Sequence, residues 1–201
     1  MSLDFVYLAS GSPRRRELLQ QIGVSFRVLR TAVDEAVLSG ELPLAYVARL
    51  AATKADAGWE RSRDAADAPV LAADTAVVLD GRILGKPSDR DDAEDMLRQL
   101  SGRTHEVLTA IALRSSSGVQ SRISRSEVTF RIIAASEVKT YWETGEPRNK
   151  AGGYAIQGRA AIFITDLHGS YSGVMGLPLC ETAELLGVAG IAYWQPAVGS
   201  R

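Results

Sequence analysis

The segment Tyr7 to Leu19, YLASGSPRRRELL, limits what this chain can become more than any other stretch. An apolar run from Phe5 to Ala9 has the length and content of a buried strand, and it ends in Ser10-Gly11-Ser12-Pro13. Ser12 suits an N-cap and Pro13 the first helical position, and Glu17, Leu18, Leu19 and Ile22 continue a helical face. The segment therefore reads as strand, tight turn and helix start, with Arg14, Arg15 and Arg16 in the first helical turn. A helix N-terminus carries about half a positive charge and favours anions by roughly 0.3 to 1 kcal/mol each. Three guanidinium groups there call for something negative. Free backbone N–H groups, the hydroxyls of Ser10 and Ser12 and forked arginine donors together suit a phosphate chain. The alternative is that the arginines point into water and pair with Glu17 or a distant acid.

Composition narrows the partners. The chain has 201 residues, 46% of them hydrophobic, and a mean hydropathy near zero, enough for one sizeable core in a single domain spanning 1–201. A net charge of −1, from 23 basic and 24 acidic residues, gives no general field for a polyanion such as DNA. Any phosphate binding must be local, and no nucleic-acid partner is expected. Cys180 is the lone cysteine, and His105 and His168 lack metal-ligand spacing. The opening residues do not resemble a signal peptide and no apolar run approaches about 18 residues, so a cytoplasmic protein without a membrane partner is expected. Four lysines stand against nineteen arginines. A retained lysine is therefore a candidate for a compact charge that approaches phosphate oxygens, and Lys54, Lys86 and Lys150 each fall in a motif.

Further strands are expected at Ser25–Arg30, Pro69–Leu79, Arg82–Leu84, Thr104–Leu113, Val119–Ile133 and Ala160–Thr165, with Ile191–Trp194 a candidate to close the sheet. Helices are expected at Pro43–Trp59, from a Ser88 cap to Leu100, from a Ser136 cap to Trp142, and at Leu179–Leu186. Asp80-Gly81 and Ser115–Gly118 are hairpin turns. Within PVLAADTAVVL, Asp74 carries the most weight, because a carboxylate in an apolar strand costs several kcal/mol unless it meets a cation, a metal or several donors. It is either a structural partner of a buried arginine or a bulge, or a metal ligand or general base in a cleft. Lys54 is either a snorkelling lysine or a compact charge for a phosphate oxygen. His105 reads as a hydrogen-bonding residue at a strand end, and the glycine-rich run Asn149–Gly158 as a loop that permits close backbone approach or a simple turn.

SGSPRRREL, AADT followed by GKP, LSGRTHEVLTA, NKAGGYAIQG and GSYSGVMGLPL, in this order from Leu8 to Leu186, together resemble the Maf family of nucleoside triphosphate pyrophosphatases. The resemblance implies an α/β fold related to the inosine triphosphate pyrophosphatases, with a long twisted mixed sheet, flanking helices and two lobes around a cleft. It also implies metal-assisted hydrolysis of a nucleoside triphosphate to the monophosphate and pyrophosphate, with Asp74 as the proton acceptor. Arg14, Thr75 and Gln157 match the branch acting on dTTP and UTP. On this likeness Ser10, Ser12, Arg14, Arg15, Lys54, Thr75, Lys86, Lys150 and Gln157 bind substrate, and Asp74 with Glu35 holds Mg²⁺ or Mn²⁺. Two alternatives remain: a 7-methyl-GTP-type pyrophosphatase, or a nucleotide-binding regulator of cell division. The likeness also implies a homodimer.

Overall fold

The computed structural model describes residues 5–62 and 68–194, so the domain expected over 1–201 extends past the described residues at both ends. Strand β1 (Val6–Ala9) leads through Ser10–Ser12 into helix α1 (Pro13–Gln21), as the opening segment predicts. β2 (Phe26–Leu29) lies parallel to β1, and α2 (Pro43–Ser62) crosses to β3 (Val70–Leu79), also parallel to β1. Beyond β3 every pairing is antiparallel: β4 (Arg82–Leu84), β5 (Thr104–Ser115), β6 (Gly118–Phe130) and β7 (Ile164–His168). Helices α3 (Arg90–Leu100), α4 (Ala135–Glu143), α5 (Tyr171–Met175) and α6 (Leu179–Val188) complete the order. The result is a mixed α/β fold with flanking helices and a seven-stranded sheet ordered β2-β1-β3-β5-β6-β7, with β4 also on β3. Among the described residues no helix is long and apolar enough to cross a membrane.

The site is positioned by β3. Its one edge pairs with β5 from Val70 to Val78, so β1, which meets it at Val70 and Leu71, and β4, which meets it at Val77 to Leu79, share the other edge. Between them the edge at Ala72–Ala76 has no strand partner, and the sheet is split there. Side-chain alternation does the rest. Val70, Ala72, Ala76 and Val78 pack into the core under α2, whereas Leu71 and Ala73 join one core cluster on the opposite face and Val77 and Leu79 another. Asp74 and Thr75 therefore stand where the apolar packing is interrupted on both faces at once.

Small residues bring α2 down onto the sheet. Ala51 and Ala55 pack in the same cluster as Ala72, Ala76, Ala110 and Ala112, and a Cβ on Gly58 would stand 2.7 Å from Val70 Cγ1. The turn at Asp80-Gly81 forms as expected, with both residues at positive φ.

Several boundaries differ from the sequence expectation, each for a local reason. Helix α3 is capped by Asp89, whose carboxylate accepts from Asp92 N–H at 2.9 Å, while Ser88 lies one residue outside. Helix α4 starts after Ala134, not at a Ser136 cap, because Glu137 reaches back to the Ala134 N–H at 2.9 Å and is itself held by Arg131. Of the strand expected over Ala160–Thr165 only Ile164 and Thr165 are extended, as the start of β7; Arg159–Phe163 is a 3-10 helix, with the Arg159 and Ala160 N–H groups donating to Glu146. Ile191–Trp194 adds no strand. Ile191 is buried against the α1 and α6 cluster, and Trp194 N–H donates to the Ile22 carbonyl.

Candidate active site

A cleft of about 850 Å³ opens at the split in the sheet, and every residue that the family likeness assigns to the site, from Ser10 to Gln157, lines it, whereas Arg16 of the first-turn arginines is exposed and does not. That volume lies in the range of small-molecule sites. The Ser10–Arg15 turn enters from β1, Glu35 from the segment after β2, Lys54 from α2, Asp74 and Thr75 from β3, Lys86 from the β4–α3 loop, and Lys150 and Gln157 from the glycine-rich segment.

Asp74 is 7% exposed. Its Oδ1 accepts from Lys54 Nζ at 2.7 Å, and the same ammonium lies 2.6 Å from Glu35 Oε1. Lys54 thus bridges two carboxylates and does not snorkel. Burial pushes the Asp74 carboxyl above the usual carboxylate range; Lys54 and Arg15 pull it back in part, and Glu35 raises it further. Glu35 is also desolvated, but Lys54 and Lys86 outweigh that and hold it below its ordinary value. Lys86 Nζ stands 3.3 Å from Glu35 Oε2. The two acids consequently differ: one prefers its charge, and the other resists it.

The arginines divide in the same way. Arg14 pairs with Glu17 at 2.6 Å on the rim, which is the surface pairing weighed from the sequence, although it still lines the cleft. Arg15 is held at three of its five donors, by the Gly176 carbonyl at 2.8 Å, Ser10 Oγ at 3.1 Å and Thr75 Oγ1 at 3.3 Å. Ser12 occupies the N-cap of α1 without a side-chain cap bond, so the first-turn N–H groups have no side-chain acceptor there. Among the described residues, neither the Lys150 ammonium nor the Gln157 amide has a hydrogen-bond or ion-pair partner.

The glycine-rich loop makes its close approach to the protein itself. Gly152 has φ +66, a Cβ there would meet Val77 at 3.0 Å, and its N–H donates to the Gly85 carbonyl at 2.9 Å. That bond ties the Lys86 and Lys150 loops together. Next to it Tyr154 lines the cleft with its hydroxyl 2.8 Å from His105 Nε2. His105 is 2% exposed, with Nδ1 buried and without a partner, and burial lowers its pKa from 6.5 to about 4. The neutral tautomer with its proton on Nε2 leaves only a lone pair unsatisfied. His105 is thus the strand-end hydrogen-bonding residue expected.

Sequence reasoning missed three contributors. Tyr46 lines the cleft and donates to the Glu35 carbonyl at 3.1 Å, and Asp74 and Glu35, after burial, push its phenol up to about 12. Arg49 grips Glu41 with both carboxylate oxygens at 2.6 and 2.7 Å and also donates to the Ala36 carbonyl, fastening the segment that carries Glu35. Thr109, 1% exposed, bonds Thr75 at 2.9 Å. A lone hydroxyl in the apolar run LTAIAL was the available signal for it, by the reasoning applied to Asp74.

A hard divalent cation fits the donor chemistry. Mg²⁺ is commonly held by one or two carboxylates with substrate phosphates and water, and Asp74 and Glu35 are near neighbours, both reaching the same Lys54 ammonium. No group of three or more metal-ligating side chains exists among the described residues, so no all-protein cage is formed.

A split mixed sheet with a resistant carboxylate on its floor and cationic side chains from four separate elements defines an α/β protein with a cleft rich in positive charge. The chain belongs to the Maf family: the model for Maf-like protein matches residues 5–189. Similar proteins include the dTTP/UTP pyrophosphatase of Pseudoalteromonas atlantica, 50% identical over 92% of this chain and 97% of its own. That of Nitrosospira multiformis is 54% identical over 94% and 97%, and that of Aromatoleum aromaticum 54% over 90% and 93%. A solved nucleoside-triphosphatase/dITP/XTP pyrophosphatase from Mycobacterium abscessus aligns with 64% of this chain and 74% of its own at a TM-score of 0.40 and 19% identity, too loosely to bear on the site.

Proposed function

We propose that this protein is a nucleoside triphosphate pyrophosphatase that hydrolyses dTTP and UTP to the monophosphate and pyrophosphate. The observation that carries the reading is Asp74, a buried carboxylate with a raised pKa, 2.7 Å from Lys54 on the floor of a cationic cleft. A group of that kind accepts a proton from water near neutral pH better than an ordinary aspartate does. The attacking oxygen forms a bond to the α-phosphorus while the bond from that phosphorus to the αβ bridging oxygen breaks, and pyrophosphate departs with the electron pair. Lys54, Lys86, Arg14 and Arg15 face the charge that develops on the leaving group, and Lys150 adds an unpaired ammonium on the loop tied to Lys86. Asp74 and Glu35 would hold Mg²⁺ or Mn²⁺ with phosphate oxygens, and the ion, when bound, would supply further neutralisation of phosphate charge. Gln157 offers one donor and one acceptor, which match the N3–H and O4 edge shared by uracil and thymine. The cytoplasm, where free nucleotides are held, is the proposed compartment.

The test is pyrophosphate release from dTTP, UTP, CTP and purine triphosphates, with and without Mg²⁺ or Mn²⁺, by the parent and by Asp74→Asn. Metal-dependent turnover of dTTP and UTP, lost in Asp74→Asn, is expected. Equal turnover by parent and variant would remove Asp74 from the mechanism.

A further inference from the structure

The segment GSYSGVMGLPL, including α5, supplies no side chain to the mechanism above, yet two of its carbonyls end at Arg15. We propose that the α5 turn fixes the Arg15 guanidinium by two routes, one direct and one through Thr109 and Thr75, so that both threonines are positioning residues and Thr75 donates nothing to the substrate. The proposal rests on Arg15 being a phosphate grip.

The direction of the protons follows from which atoms can donate. Thr109 Oγ1 lies 2.8 Å from the Gly173 carbonyl, which can only accept, so the single hydroxyl proton of Thr109 goes there. The 2.9 Å contact between Thr109 Oγ1 and Thr75 Oγ1 then uses the proton of Thr75. Thr75 is left with lone pairs alone, and these receive Arg15 Nη2–H at 3.3 Å. The whole chain runs one way, from Arg15 to Thr75, from Thr75 to Thr109, and from Thr109 to the Gly173 carbonyl. Three residues further along the same turn, the Gly176 carbonyl accepts Arg15 Nε–H at 2.8 Å.

The turn is built to come this close. Gly176 has φ +111, and a Cβ there would lie 3.4 Å from Thr75 Oγ1 and 3.5 Å from Arg15 Nε. Gly173 is packed on Ser124 and Ser170, and a Cβ there would stand 3.0 to 3.1 Å from their atoms. Ser170 caps the turn, its Oγ accepting from Gly173 N–H at 2.9 Å, and its own N–H donates to Ser126 Oγ. With Nε, one Nη2–H and one Nη1–H engaged, Arg15 keeps one N–H on each terminal nitrogen, which are the donors a phosphate group takes in pairs.

The experiment compares binding of inorganic tripolyphosphate, by titration calorimetry, for the parent, Thr109→Val, Thr109→Ser, Arg15→Gln and the Thr109→Val/Arg15→Gln double variant. Valine keeps the shape and loses the relay. A weakening of at least about fivefold in Thr109→Val is expected, with Thr109→Ser within about twofold of the parent. The double variant should bind no more weakly than Arg15→Gln alone, since both changes act through one guanidinium. Parent-like binding in Thr109→Val, an equal loss in Thr109→Ser, or fully additive losses would each overturn the proposal, as would a parent whose binding does not depend on Arg15. Should Thr109→Val not fold, Thr75→Val carries the same expectation. A parent that binds tripolyphosphate through Arg15 but hydrolyses no nucleotide would leave the relay standing and remove the activity.

Discussion

Asp74 sets function against stability at a single residue. Because its native carboxyl is held above the value it has in the unfolded chain, its ionised form is the less favourable one in the fold. Its contribution is present at pH below the unfolded value and is lost as pH rises through the raised native value. At neutral pH the ionised group weakens the native state. Asp74→Asn should therefore abolish turnover while leaving Tm equal to or above that of the parent, because Lys54 keeps Glu35 at 2.6 Å; a clear fall in Tm by calorimetry would contradict this. His105 has the opposite sign. Its native pKa of about 4 lies under its ordinary 6.5, so stability present above 6.5 is lost as pH falls toward 4, by on the order of 3 kcal/mol. In denaturant titrations between pH 7 and 4.5, His105→Phe should lose less stability than the parent. Parallel curves for the two proteins would contradict the assignment.

Among the elements, the segment between β2 and α2 has no regular structure, yet it carries Glu35. It is fastened by the fork of Arg49 on Glu41, by Leu38 N–H to Glu41 at 3.0 Å and by the Tyr46 hydroxyl. Arg49→Ala frees this segment without touching the sheet. Its turnover should fall roughly several-fold with at most a modest fall in Tm, since the part-buried fork fastens a segment outside the sheet. A large drop in Tm with unchanged kcat/KM would show that the fork serves the fold and not the site. The same segment shows what patterns in sequence miss. Helical and strand periodicities report faces, and they placed α1, α2, β3 and the two hairpins well. Irregular chain has no period, so the Arg49–Glu41 fork left no trace. Caps were missed where neighbours competed: Ser88 against Asp89, and Ser136 against Glu137 reaching back from inside α4.

For the molecule as a whole, the site exists because one long strand is shared by partners that do not meet. β1 and β4 leave Ala72–Ala76 open on one edge of β3, and side chains as far apart in sequence as Ser10 and Met175 turn into the gap. Asp74 was legible in the sequence because an acid in an apolar strand demands a partner. That the partner is Lys54 was not, because helix periodicity does not say which sheet residue lies opposite. Thr109 carried the same kind of signal, a lone hydroxyl in an apolar run, but its role depends on a turn 64 residues on, which the sequence does not place beside it. The most direct measurement is hydrolysis of dTTP in ¹⁸O-labelled water, followed by mass spectrometry of both products. Attack by Asp74-activated water at the α-phosphorus places one ¹⁸O atom in the monophosphate and none in pyrophosphate. Label in the pyrophosphate instead would mean attack at another phosphorus and would contradict the arrangement of base and cations described above.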